Sequence, residues 1–388
     1  MKWFRSSLLA ASGTIAIITA LPAAAAVAAT PSTSDGPGSS GARNAVFVQT
    51  NDPAGNTILA YHRGSGGGLT PAGSYPTGGL GGTAVQAPVD ALASQGSLVY
   101  DSGHALLFAV NAGSDTVTVF RARGDQLVRR QIVGSGGQFP VSVAVHGDLV
   151  YVLDAGGQGT VAGYRIDDGR LAPIANSART LALGNTNPPL FIAAPAQVGF
   201  DPTGSDLVVT TKNHNQIDVF GVRPGGSLSA APVVSPSAGP VPFAFGWDRA
   251  GDLLVTEAGT GTVTGYRIGA HRALHVLSRT TPNGQAALCW FQNARGFFYG
   301  ANAGSASLSS FRVHGHSVAL VAAVSANTSG GPIDLAASRG GRFLYVQNSG
   351  AGTIQGFRVG ASGGLTLVTT VTGLPVFDNG GMEGIAAV

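Results

Sequence analysis

Seven segments of this 388-residue chain repeat one pattern, and the repeat constrains the fold more than any single motif does. The clearest copy, LFAVNAGSDTVTVF at 107–120, is an apolar run, a turn of small and polar residues, and an alternating run closing on an aromatic. Similar segments occupy 46–61, 150–164, 207–220, 253–266, 298–311 and 344–357. Their closing aromatics, Tyr61, Phe120, Tyr164, Phe220, Tyr266, Phe311 and Phe357, stand 59, 44, 56, 46, 45 and 46 residues apart. Two short apolar runs joined by a turn of Gly, Asn and Ser read as a β-hairpin.

Further runs flank each hairpin. Before it come 141–145, 197–200, 243–247, 287–291 and 333–337, joined through turns such as Asp201-Pro202-Thr203-Gly204. After it, Gly-x-Leu turns lead into 127–133, 228–234 and 365–371. Four antiparallel strands per unit predict an all-β chain, a seven-bladed β-propeller of four-stranded blades. The first hairpin lacks an inner strand of its own, whereas residues 382–388 match the inner-strand pattern and have no hairpin after them. A C-terminal strand is therefore expected to join the N-terminal blade and close the ring. Composition agrees. Glycine, 59 residues or about 15%, is too scarce and irregular for collagen, and 44% hydrophobic content excludes a disordered chain.

At the N-terminus, Lys2 and Arg5 precede an apolar stretch over 8–21 and the small residues Val27-Ala28-Ala29. This predicts a signal peptide at 1–29 and a secreted protein. The stretch is shorter than a membrane-spanning helix, so no stable membrane anchor is expected. Residues 30–44 read as a flexible leader and 45–388 as one propeller domain. Removing the signal leaves a formal charge of 22 − 2 − 19 = +1, which excludes electrostatic capture of nucleic acid. Cys289 has no partner for an intrachain disulfide, and a monomer is expected.

In a propeller, the starts of inner strands and the ends of second strands share one face. At the fifth hairpin position stand Thr50, Asn111, Asp154, Thr211, Glu257, Asn302 and Asn348, with Lys212 and His214 beside them. Asp90, Asp334 and Glu383 are read as inner-strand starts. Glu257, Lys212 and His214 are the candidate catalytic groups; Asp90, Asn111, Asp154, Asn302, Asp334, Asn348 and Glu383 are candidate binding residues. The alternative for the asparagines and Asp154 is turn capping. Five carboxylates on one face suit a divalent cation, although no calcium-loop pattern exists and no other cofactor is expected.

The repeated strand–Asn–x–Gly–x–x–Thr–Val–x–x–Phe–Arg pattern, followed by Gly-x-Leu, resembles the lactonase-type seven-bladed propellers. That family includes 6-phosphogluconolactonases, carboxymuconate lactone-forming enzymes and related surface propellers with a Tyr-Val-x-Asn repeat. The resemblance implies a histidine and an arginine beside prolines at inner-strand starts, and a glutamate after a second strand. Thr256-Glu257 matches the glutamate. At Phe139-Pro140-Val141-Ser142 and Val241-Pro242-Phe243, Val, Ser and Phe replace the histidine and arginine. The expected function is a secreted lactonase-like hydrolase or isomerase of a small lactone or sugar-like ligand. The alternative is a non-catalytic extracellular propeller that binds a small ligand, a glycan or a protein.

Overall fold

The computed structural model describes residues 43–377 and 381–388. The expected signal peptide and nearly all of the leader lie outside these residues.

Seven antiparallel sheets are arranged as the repeat predicts. Innermost strands of the second to seventh blades are Leu98–Asp101, Pro140–His146, Pro195–Phe200, Pro242–Trp247, Leu288–Ala294 and Pro332–Ala337. In the first blade the innermost strand is Ile385–Ala387, which pairs antiparallel with Ala45–Gln49, Phe47 opposite Ala386. The ring is thus closed by the two ends of the propeller, and the first blade reaches the same four strands as its neighbours. The third blade adds a short fifth strand, Arg179–Thr180, against Thr160–Asp167.

Period-two alternation sends one face of each strand against the next blade, so Phe108, Tyr151, Phe243, Phe298 and Leu344 are buried between sheets. A recurring tyrosine stitches neighbours together. Tyr151, Tyr299 and Tyr345, each on the second strand of its blade, donate to the carbonyls of Gly226, Gly363 and Gly67 in the outer turn of the following blade, at 2.7–2.9 Å. A side chain cannot replace these glycines easily. Gly67 holds φ +93° and a Cβ there would meet the Phe343 ring at 2.5 Å. The Tyr345–Gly67 bond is the stitch across the closure seam.

Two irregular spacings in the repeat mark two insertions. The 59-residue gap holds residues 84–97, and the 56-residue gap holds residues 181–193. They meet in an isolated parallel bridge between Val85 and Leu190.

Candidate functional site

The first insertion crosses the central channel as a strap, and its hydrogen bonds reach five of the six other blades. Leu92 N–H donates to Glu383 Oε1 in the first blade (3.2 Å) and Ser94 Oγ to the Val141 carbonyl in the third (2.8 Å). Gln95 N–H donates to the Ala196 carbonyl in the fourth (3.0 Å). Trp290 Nε1 of the sixth blade donates to the Ser94 carbonyl (2.8 Å), and Ser349 Oγ of the seventh to the Val89 carbonyl (2.6 Å). The strap corrects one expectation. Asp90 does not begin an inner strand, because that blade's innermost strand starts only at Leu98. The largely apolar run Val89-Asp90-Ala91-Leu92 resembles a strand but turns. Asp90 Oδ1 accepts the Ala93 N–H at 2.7 Å, and Ala93 sits at φ +59°.

Four titratable groups gather where the strap meets the blades. Lys212 Nζ donates to the carbonyls of Ala93 (2.6 Å) and Pro195 (3.4 Å) and lies over the rings of Phe191 and Phe243 at 5.5 and 5.4 Å. Burial lowers its pKa, and the nearby Asp90 charge opposes that shift. Asp90 and Glu383 are both buried, which raises both carboxyls, and they lie within hydrogen-bonding range of each other. Among the described residues no N–H or O–H group bonds Asp90 Oδ2, and one proton shared with Glu383 would satisfy it. Asp334, also buried and close to Asp90, is pushed up to about 7. Asp90, Lys212, Asp334 and Glu383, four of the sequence candidates, are thus brought together.

Beside this cluster is a cavity of about 210 Å³ at the face where inner strands begin. The first insertion contributes Pro88, Val89 and Asp90 to its wall, and the second contributes Phe191. Blades four to six supply Lys212, Phe243 and Trp290, with Val241 and Cys289 alongside. Burial raises the Cys289 thiol far above its ordinary range. Beyond the strap, a second space of about 280 Å³ continues down the channel past Gln197, Gln292 and Asp334.

The other candidates lie elsewhere. Glu257 is wholly buried and saturated. Its Oε1 accepts from Thr264 Oγ1 (2.8 Å) and Tyr266 OH (3.2 Å), and its Oε2 from Thr262 Oγ1 (2.5 Å) and Arg279 Nε (3.1 Å). It is not on the cavity wall, so Glu257 and Lys212 do not share a pocket. His214 is exposed on the turn after Lys212. Asn111 donates to Thr116 and Thr118, Asn302 to Ser307 and Ser309, and Asn348 to Thr353 and Gln355. In each case the partners are the residue directly across the hairpin and the next on the same face. The asparagines thus do not cap the turn backbone but tie the two strands of the hairpin together, and Glu257 occupies the same place, accepting from the hydroxyls at the same two positions. The five carboxylates do not form a ligand set. Among the described residues no group of three or more His, Cys, Asp or Glu could hold a metal ion.

Sequence reasoning missed Phe191, Phe243 and Trp290, which wall the cavity. The signal that could have found Phe191 was the long spacing of 56, where extra chain must go somewhere, whereas Phe243 and Trp290 stand on regular inner strands.

Comparison with known proteins is consistent with this architecture. Residues 98–291 match the family described as lactonase, 7-bladed β-propeller. No curated protein matches the chain. Among solved structures, a protein of Bacteroides uniformis provisionally called a 6-phosphogluconolactonase superposes with a TM-score of 0.66 at 15% identity, over 85% of this chain and 97% of its own. The periplasmic gluconolactonase of Pseudomonas aeruginosa superposes with a TM-score of 0.66 at 19% identity, over 87% and 98%. At such identities the likeness is one of fold.

Proposed function

This chain belongs to the lactonase family of seven-bladed β-propellers, and from that premise we propose that it is an exported protein that opens a small lactone at the strap cavity. One observation carries the reading. The cavity wall holds a buried lysine beside a buried carboxylate, Asp90, whose Oδ2 has no N–H or O–H donor among the described residues. Ring opening needs a group to take the proton of an attacking water and a positive charge facing the oxyanion that forms. Asp90, with Glu383 as the partner that shares its proton, fills the first role, and Lys212 the second. When the ring C–O bond breaks, the proton held by the Asp90–Glu383 pair passes to the departing ring oxygen. Glu257 and His214 have no part in this scheme.

The test is a panel of lactones assayed with wild type, Asp90→Asn and Lys212→Met, with circular dichroism as a folding control. Loss of at least about 100-fold in kcat/KM in both variants is expected, the scale of removing a proton-transfer group. Turnover that survives both substitutions overturns the assignment. A second reading, a non-catalytic binder of a small ligand, is favoured by one fact. Asp90 and Lys212 are each only 1% exposed, so a substrate reaches them only if the strap shifts. Saturable binding without turnover of any lactone would favour it.

A further inference from the structure

We infer, resting on the lactone-opening reading, that the cavity selects compact apolar lactones, bare or short-alkyl rings, and rejects polyhydroxylated or phosphorylated sugar lactones. Three features of the site point the same way.

The first is the wall. Phe191, Phe243, Trp290, Val89 and Val241 line the space, and the Trp290 N–H is already committed to the Ser94 carbonyl. Apart from Asp90, Lys212 and the Cys289 thiol, the lining side chains offer no free hydrogen-bonding group to a hydroxyl, and no arginine is among them to hold a phosphate. Hydroxyls stranded among such side chains lose their water without compensation. The second is size. A cavity of about 210 Å³ is below the roughly 300–1,000 Å³ that hold drug-sized ligands.

The third is strain at one wall residue. Each of four inner strands is entered through a left-handed residue whose carbonyl accepts an N–H from just beyond the second strand. These are Phe139, Val241, Ala287 and Gly331, paired with Ala155, Ala258, Ala303 and Ser349. Glycine suits such a position, as in the seventh blade. Val241 holds φ +59° although it is β-branched, the residue type for which this conformation is a true outlier. Its side chain is all that valine offers over glycine here, and that side chain lines the cavity. Backbone strain of this kind gathers where a ligand surface must be held in place.

The experiment compares kcat/KM for δ-valerolactone and glucono-δ-lactone. In parallel, binding of unreactive cyclohexanone is followed by calorimetry in wild type, Val241→Gly and Phe191→Ala. A preference for valerolactone of at least about 100-fold is expected, the discrimination an apolar pocket reaches against added hydroxyls. Val241→Gly is expected to weaken cyclohexanone binding about tenfold without lowering Tm, which separates a wall residue from a structural one. Phe191→Ala, on the surface insertion, is expected to weaken it likewise. Glucono-δ-lactone opened as fast as valerolactone overturns this inference and leaves the lactone reading standing. If neither lactone is opened the lactone reading fails, and cyclohexanone then decides the ligand class alone: wall-dependent binding supports it, and absence of binding overturns it.

Discussion

Asp154 occupies in the third blade the place that Asn302 occupies in the sixth, yet it lacks the partners Asn302 has. Asn302 donates to Ser307 directly across the hairpin and to Ser309 beyond it. Asp154 faces Thr160 and then Ala162, and among the described residues neither of its oxygens has a hydrogen-bond partner. The nearby Ser135 hydroxyl donates to the Gly137 carbonyl instead.

A pH dependence follows from that difference. Burial pushes Asp154 up to about 7 from 3.8. A carboxyl whose folded pKa is raised stabilises the fold fully below its unfolded pKa and loses that contribution as pH rises through the folded one. Stability should therefore fall between about pH 4 and pH 7, by on the order of 4 kcal/mol at most from this residue. Asp154→Asn introduces the asparagine that three other blades carry here and should gain about 1–3 kcal/mol at pH 8 while changing little at pH 4. Urea denaturation at the two pH values measures it. Asp334, raised in the same way, should leave part of the wild-type dependence intact.

Glu257 should behave as a structural residue. Glu257→Gln keeps the shape but loses the charge that binds Arg279 and the three hydroxyls, so a loss of about 1–3 kcal/mol is expected. Any lactone turnover should keep its kcat/KM within a few-fold of wild type. A large loss of turnover at unchanged Tm would return Glu257 to the chemistry.

The closure seam is expected to govern global stability. Deleting residues 385–388 removes the innermost strand of the first blade and uncovers Phe47 and Val48. A cost of at least about 3 kcal/mol is expected, as for large core losses elsewhere. Tyr345→Phe, which removes one stitch across the same seam, should cost only about 1 kcal/mol. Thermal unfolding of both variants checks the ranking.

Cys289 should be chemically silent in the native protein. It is buried, and its thiol is held protonated by that burial. Iodoacetamide at pH 8 should leave it unmodified by intact mass until denaturant is added, since the thiolate is the reactive form. Rapid native alkylation would mean that the cavity beside it opens widely.

The architecture was legible because each blade repeats one solution to one packing problem, and even the seam could be placed from a strand-like 382–388 with no hairpin after it. The hairpin-end asparagines were legible as structural residues, although they bond to side chains across the hairpin at fixed offsets and do not cap the turn. The site was less so. Asp90 and Phe191 belong to insertions with no counterpart in the other blades, so periodicity says nothing about where they fall. Glu257 drew attention as a charge among asparagines, but Thr262 and Thr264 at the same offsets as the asparagine partners already explained it.

Glu383 lies just before the closing strand, and its contact with Leu92 spans 291 residues of chain. Contacts of such range form late, after the entropy of a very long loop has been lost. The charged cluster is therefore an end product of ring closure. A partly folded chain can have most blades in place and still have no site, which makes ligand binding a direct readout of the last folding event.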